Sequence, residues 1–161
     1  MYDIIGDIHG YATELEQLLI KLGYCADDGY FKHKEHTAIF LGDFIDRGPE
    51  QRKVIDIVRP MVEQGSALAI MGNHEFNALA FHTSGSNGLP LRANNEKNTA
   101  QHQAFLDAYA DDSDEMLSVL NWFSKLPLWL DLDGIRVVHA CWHEKSMSML
   151  ESHLDANNIM G

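Results

Sequence analysis

Four short apolar runs, each about as long as a β-strand, lead into side chains that can bind a metal ion. The runs are Ile4-Ile5, Ala38-Ile39-Phe40-Leu41, Ala67-Leu68-Ala69-Ile70-Met71 and Ile135-Arg136-Val137-Val138. They are followed in turn by Asp7 and His9, by Asp43, by Asn73, and by His139. Ligands of open α/β sheets bind beyond the carboxyl ends of the strands, so these side chains are expected to meet in one site. The chain is therefore constrained to a fold that brings these four ends together.

The segments between these runs show helical periodicity. Apolar residues recur at helical spacing over residues 11–22 and 52–64, which predicts two crossover helices between parallel strands. Pro60 is expected to kink the second helix or to end it early. Further helices are predicted over residues 74–81, 101–110 and 115–126, and a hairpin turn is predicted at Asp133-Gly134. The fold class predicted from this order is α/β with a parallel sheet.

Composition and charge limit the number of domains and the classes of partner that fit this chain. The chain has 161 residues, of which 45% are hydrophobic, so it fits a single domain over residues 1–161. The net charge of -12 argues against a nucleic-acid polymer as the partner, because binding a phosphate backbone relies on Lys and Arg. No apolar run is long enough to span a bilayer, and the two cysteines, Cys25 and Cys141, indicate no disulfide framework. We expect a cytoplasmic protein with no membrane partner.

The stretch from Gly42 to Pro49 holds two carboxylates, Asp43 and Asp46, and Arg47 in five residues where a strand ends. A carboxylate in such a place can bind a hard divalent cation, and a guanidinium can bind a phosphate. Taken alone, the cluster also fits a solvated loop with surface ion pairs. The polar side chains at the other three strand ends favour a metal and phosphate site over a solvated loop.

Taken together, the four segments resemble the calcineurin-like metallophosphoesterases, and specifically their phosphoprotein phosphatase branch. The blocks GDxHG, GDxxDRG and GNHE stand here at residues 6–10, 42–48 and 72–75, and a later strand ends at His139. The opening of the chain is also similar to small bacterial members that act on phosphoproteins or dinucleoside polyphosphates. The resemblance implies a layered β-sheet core flanked by helices. No later block of the family is found after His143, so we expect a chain that lacks the C-terminal part of the usual sandwich.

The resemblance also implies a dinuclear metal site. Asp7, His9 and Asp43 would hold one divalent ion, and Asp43, Asn73 and His139 would hold the second. Mixed oxygen and nitrogen ligands suit manganese, iron or zinc better than calcium, and manganese is the expected metal. A water activated by both ions would then attack the phosphorus atom.

The resemblance assigns catalytic roles to three further side chains. His74 would be the general acid for the leaving oxygen, and Asp46 would orient it. Arg47 would bind the phosphate, together with Asn73.

The activity expected from the resemblance is a phosphoesterase of the serine/threonine protein phosphatase type, acting on a phosphorylated protein. One alternative is a dinucleoside polyphosphate hydrolase, because the blocks describe how phosphate is cleaved and not what carries it. A second alternative, from another class, is a module that binds metal without catalysis. Oligomeric state is left open by the sequence.

Overall fold

Three short parallel strands form the sheet from which the site loops emerge. They are β1 (Tyr2–Ile5), β4 (Thr37–Phe40) and β5 (Ala67–Ala69), in the order β1-β4-β5. Ile5 is paired with Phe40, and Phe40 with Ala69, so all three strands end at the same edge. The chain is seen here as a computed structural model that describes residues 1–160. The predicted parallel α/β core is confirmed.

Two antiparallel hairpins and six α-helices complete the described part of the chain. The hairpins are β2 (Cys25–Asp27) with β3 (Tyr30–Lys32), and β6 (Trp129–Leu132) with β7 (Ile135–Val138). The helices are α1 (Ala12–Lys21), α2 (Gln51–Glu63), α3 (Asn73–His82), α4 (Glu96–Ala108), α5 (Ser113–Phe123) and α6 (Glu144–Leu150). A single 3-10 turn, Glu151–His153, follows α6.

The two crossover helices lie where helical periodicity predicted them. Helix α1 buries Ala12, Leu15 and Leu19 in the apolar cluster that also contains Ile5 and Phe40 of the sheet, and α2 buries a longer apolar stripe that includes Val54 and Val58. Burying apolar side chains is the main favourable term that holds such helices in place. These helices form the connections that parallel strands require.

Side chains of β4 alternate between two apolar clusters, one on each face of the sheet. Ala38 and Phe40 belong to the large cluster beneath the helices. Ile39 belongs to a small second cluster with Ile70 and Val137 on the other face. Because Val137 lies on β7, this second cluster fixes the hairpin that leads to His139.

The structure differs from the sequence prediction in three places. Helix α2 runs through Pro60 to Glu63, and the carbonyl that loses its helical partner belongs to the exposed Asp56, where water can bind it. Helix α4 begins at Glu96, five residues before the predicted start, because the Asn95 side chain accepts a hydrogen bond from the Asn98 N–H and caps it. The β2–β3 hairpin is absent from the elements predicted above.

No helix within residues 1–160 combines the length and the apolar character that crossing a bilayer would require.

Candidate metal and phosphate site

The structure brings the five predicted metal ligands together beyond one edge of the sheet. His9 Nε2 lies 3.6 Å from Asp7 Oδ2 and 3.7 Å from Asp43 Oδ2. On the other side of Asp43, His139 Nε2 lies 3.6 Å from the same Oδ2 and 3.0 Å from Asn73 Oδ1. Asp43 is 3% exposed and stands between the two histidines.

Two overlapping sets of ligand atoms share Asp43. One set is His9, Asp43 and His74, and the other is Asp7, Asp43 and His139, with the atoms of each set within 4.8 Å of one another. The second set places Asp7 with His139, whereas the sequence grouped Asp7 with His9. Both groupings keep the Asp43 carboxylate in common, which is the arrangement that a two-ion site needs.

The ring nitrogens of His9 and His139 are oriented by backbone carbonyls. His9 Nδ1 donates to the Ile45 carbonyl at 2.9 Å, and His139 Nδ1 donates to the Leu41 carbonyl at 2.7 Å. Since a carbonyl only accepts, the proton of each neutral ring is on Nδ1 and the lone pair is on Nε2. Both lone pairs therefore face the Asp43 carboxylate.

One observation tests directly whether these residues fit a metal ion. His9 Nε2 is buried and has no hydrogen-bond partner among the described residues. A buried polar atom without a partner is costly, and a lone pair in that position next to two carboxylates is suited to bind a cation. The donor set of carboxylate oxygens, an amide oxygen and imidazole nitrogens matches what manganese, iron and zinc accept.

The site loops contain a cluster of left-handed backbone conformations. His9, Asp43, Asp46 and Arg47 have φ values of 49°, 53°, 68° and 67°. Such conformations cost on the order of 1–3 kcal/mol each for residues other than glycine, although Asp tolerates them better than His or Arg. Main-chain hydrogen bonds between the first two loops, such as His9 N to Asp43 O at 2.8 Å, hold them in this form.

Glu75 ties the second and third site loops together. Its carboxylate is fully buried and accepts hydrogen bonds from the N–H groups of Asp43 at 2.8 Å, Phe44 at 2.8 Å and Gly72 at 3.0 Å. Burial, followed by the charge of Asp43, raises the pKa of Glu75 to about 7 against the opposing effect of these N–H groups. A Cβ on Gly72 would overlap the backbone and the carboxylate of Asp43, so only glycine allows this approach.

His74 and Asp46 form a tight pair beside the metal ligands. His74 Nδ1 donates to Asp46 Oδ2 at 2.6 Å, and this hydrogen bond is the main reason that the pKa of His74 is raised above its ordinary value. His74 Nε2 then points toward the cluster, 4.0 Å from Asp43 Oδ2. A histidine held in this way can carry a proton at Nε2 to a neighbouring oxygen.

His102 is a residue of the site that the sequence did not reveal. It is 2% exposed, and its Nδ1 donates to the other oxygen of Asp46 at 2.9 Å. Burial would raise the pKa of Asp46, but the hydrogen bonds from His102 and His74 outweigh it and lower that pKa. The available signal was the spacing of His102 and Phe105, which places a histidine on the apolar face of α4.

Arg47 lies at the rim of the cluster and lines an open cavity of about 570 Å³ together with Asp46, Asn73 and His74. Its side chain is exposed and has no carboxylate partner in the part of the chain that the structure describes. The cavity therefore presents a guanidinium, an amide and an imidazole to a ligand. These groups suit phosphate oxygens.

Several curated proteins are similar to this chain in sequence. The bis(5'-nucleosyl)-tetraphosphatase PrpE (asymmetrical) of Oceanobacillus iheyensis is 37% identical over 139 residues, which cover 86% of this chain and 54% of that protein. The protein of the same name from Geobacillus thermodenitrificans is 48% identical over 73 residues, or 45% of this chain and 30% of that protein. The chain thus spans about half the length of the first relative and matches less of the second.

Solved structures share the fold at lower sequence identity. A protein described as a candidate diadenosine tetraphosphatase superposes with a TM-score of 0.56 at 20% identity, covering 88% of this chain and 50% of that one. A protein serine/threonine phosphatase from Saccharomyces cerevisiae, with similarity to human phosphatase PP5, superposes with a TM-score of 0.50 at 22% identity. The superposition covers 80% of this chain and 33% of that one.

The family model for calcineurin-like phosphoesterases matches residues 2–159. This match spans nearly the whole chain and contains all four site loops. The resemblance predicted from the sequence blocks is confirmed, and the chain belongs to the calcineurin-like phosphoesterase family.

Proposed function

We propose that this chain is a metal-dependent phosphoesterase that hydrolyses dinucleoside polyphosphates. The observation that carries the catalytic part is the His74–Asp46 pair, which stands beside the metal ligands and lines the cavity that contains Arg47. The substrate part is supported by the names of the relatives, which are tetraphosphatases.

The ion ligands proposed here are the five that the sequence predicted. Asp7, His9 and Asp43 would hold one divalent ion, and Asp43, Asn73 and His139 would hold the other, with manganese as the proposed metal. The orphaned His9 Nε2 supports this assignment. When bound, two such ions lower the pKa of water and neutralise charge on phosphoryl oxygens.

Four side chains bind the phosphoryl group and handle the proton in this proposal. Arg47 binds the oxygens of the phosphoryl group, with the Asn73 amide beside it, and so fixes the phosphorus atom for attack. As the bond from phosphorus to the leaving oxygen breaks, His74 Nε2 gives its proton to that oxygen. Asp46 keeps the His74 ring in place through Nδ1 and stabilises the protonated form, which is consistent with the raised pKa of His74.

Two other functions compete with this proposal. A serine/threonine protein phosphatase, the function expected from the sequence, has the support of a fold shared with the yeast phosphatase, but identity of 22% supports only the fold. The named sequence relatives favour the dinucleotide substrate instead. A metal-binding module without catalysis would have no use for the His74–Asp46 pair.

The test is hydrolysis by the purified chain in the presence of manganese. Diadenosine tetraphosphate and a phosphoserine peptide are supplied separately, and the products are separated by ion-exchange chromatography. Unequal products, a nucleoside monophosphate and a triphosphate, with slower turnover of the peptide, are expected. Faster turnover of the peptide would replace the proposal with the phosphatase, and no turnover of either would leave the metal-binding module. Asp43→Asn is the inactive control.

A further inference from the structure

Within residues 1–160, two of the five arginines have no acidic partner. The other three are paired with carboxylates: Arg52 with Asp112 at 3.2 Å, Arg59 with Glu63 at 2.8 Å and Arg136 with Asp131 at 3.6 Å. For Arg47 and Arg92 no carboxylate oxygen lies within 4.0 Å among residues 1–160. In a chain with a net charge of -12, acidic side chains outnumber basic ones, so an arginine without a carboxylate partner is unexpected.

Both unpaired arginines line the same cavity. Arg47 lines it from the loop after β4, Arg92 lines it from the segment between α3 and α4, and His74 also lines it. The volume, about 570 Å³, exceeds what one phosphoryl group occupies and lies within the range of small-molecule sites. The cavity therefore has room for a ligand that extends from His74 toward Arg92.

Arg92 is held in position by neutral groups. Its backbone N–H donates to the Ala80 carbonyl at 2.8 Å, which fixes the segment to α3. Its Nη2 donates to Gln101 Oε1 at 2.7 Å and to Asn98 Oδ1 at 3.3 Å. Because amide oxygens orient a guanidinium without neutralising it, the full positive charge remains available to an anion.

The rest of the lining is polar and mostly uncharged. Asn77, Gln101 and Gln103 contribute amides, and Asp107 is the one acidic residue besides Asp46. No aromatic side chain apart from the His74 imidazole lines the cavity among the described residues, so stacking on a nucleobase is not its main means of recognition. Amides and guanidinium groups instead suit phosphate oxygens and hydroxyl groups.

We infer that Arg92 forms, with Arg47, a binding site for a polyphosphate chain: Arg47 binds the phosphoryl group under attack, and Arg92 binds a phosphate farther along. This inference rests on the proposed function and deepens it, because a phosphate monoester would fill only the Arg47 end. It makes Arg92 the residue that distinguishes a polyphosphate from a monoester.

The test is binding, measured by isothermal titration calorimetry with tripolyphosphate and with orthophosphate as probes. The chain is loaded with manganese, and free Mn²⁺ is kept in excess of each probe so that the probes enter as their manganese complexes. Arg92→Gln should weaken tripolyphosphate binding by about 10-fold or more, as expected for a lost hydrogen bond between charged groups, and should change orthophosphate binding by less than about twofold. Arg136→Gln, which removes an exposed guanidinium on the β6–β7 hairpin, is the matched control.

Arg92→Lys separates binding from a structural effect, since it keeps the charge but loses the planar fork. We expect Arg92→Lys to bind tripolyphosphate more weakly than the wild type and more tightly than Arg92→Gln. An equal loss for both probes in Arg92→Gln, an unchanged tripolyphosphate affinity, or a wild type that binds both probes equally would each overturn the inference. If tripolyphosphate binding depends on Arg92 while diadenosine tetraphosphate is not cleaved, the proposed function fails and the polyphosphate site stands.

Discussion

Replacing His102 with phenylalanine removes the hydrogen bond that His102 makes to Asp46, together with a longer contact of 3.3 Å between His102 Nε2 and His82 Nε2. The His102 ring stacks on Phe105 with centroids 4.7 Å apart and an angle of 17° between planes. Phenylalanine keeps a flat ring in that position. It removes the N–H that reaches Asp46 Oδ1 at 2.9 Å, and both residues are only 2% exposed.

The loss of stability in His102→Phe follows from the buried Asp46 oxygen that no longer has a hydrogen-bond donor. A carboxylate oxygen that is buried without its donor costs about 1.5–3 kcal/mol, because the lost bond involves a charged group and water cannot replace it. Part of this loss is offset, since phenylalanine is more hydrophobic than histidine and remains buried. We expect a net loss of about 2 kcal/mol, which lowers the unfolding midpoint by about 4–8 °C for a domain of this size.

The assay is thermal unfolding followed by circular dichroism in a chelating buffer, so that metal binding does not mask the change. The same substitution is then made in an Asp46→Ala background, where the side chain has no oxygen to accept the hydrogen bond. There His102→Phe should cost less than about 1 kcal/mol, because the shared interaction with residue 46 is already absent and only the contact with His82 and the packing remain to change. A cost of the same size in both backgrounds would show that His102 stabilises the fold through packing and His82, and would refute a stabilising bond to Asp46.

Three further predictions concern the metal site, catalysis and acid stability. Asp43→Asn should reduce the metal content of the chain by at least one ion in elemental analysis, because both ligand sets share this carboxylate; two ions at wild-type affinity would disprove the bridge. His74→Ala should slow hydrolysis of an alkyl phosphate by about 10²-fold or more and an activated aryl phosphate less, with unchanged metal content. Because the hydrogen bond to Asp46 raises the pKa of His74 above its ordinary value of 6.5, the proton is lost only at a pH above that value. The wild-type rate with the alkyl ester should therefore fall on the alkaline side, and the variant should lack that decline. Equal slowing of both esters would show that His74 is not the general acid. Asp3 accepts hydrogen bonds from His36 at 2.9 Å and Tyr24 at 3.0 Å, and these outweigh burial to lower its pKa. Its stabilising effect is therefore complete above pH 3.8 and lost as pH falls below it, so urea unfolding should show the wild type and Asp3→Asn converging in acid and separated at pH 6; a difference independent of pH would contradict this.

The strand ends could be predicted because each of them is a local pattern. An apolar run followed by Asp, Asn or His is visible within ten residues, and parallel strands bring such ends to one edge. The positions of Asp43 and His139 follow from this reasoning. Their assignment as metal ligands stays a prediction until ions are measured.

Other features depend on contacts that no local pattern contains. His102 meets Asp46 across 56 residues, and only the packing of α4 against the core brings them together. The start of α4 was missed because the Asn95 cap lies in a segment rich in polar residues that resembled a loop. Pro60 was expected to kink α2 or to end it early, but the helix continues to Glu63, because its apolar stripe contributes more than one lost hydrogen bond costs.

The left-handed backbone at His9 and Arg47 has a consequence for how this chain would respond to selection. Glycine adopts such a conformation without strain, so substitution there would relieve part of a local cost on the order of 1–3 kcal/mol while removing a proposed metal ligand or phosphate contact. In a library selected for heat resistance alone, glycine and asparagine should therefore be enriched at these two positions. In a library selected for hydrolysis they should disappear. The difference between the two libraries would map the places where this fold gives up stability to hold its chemistry.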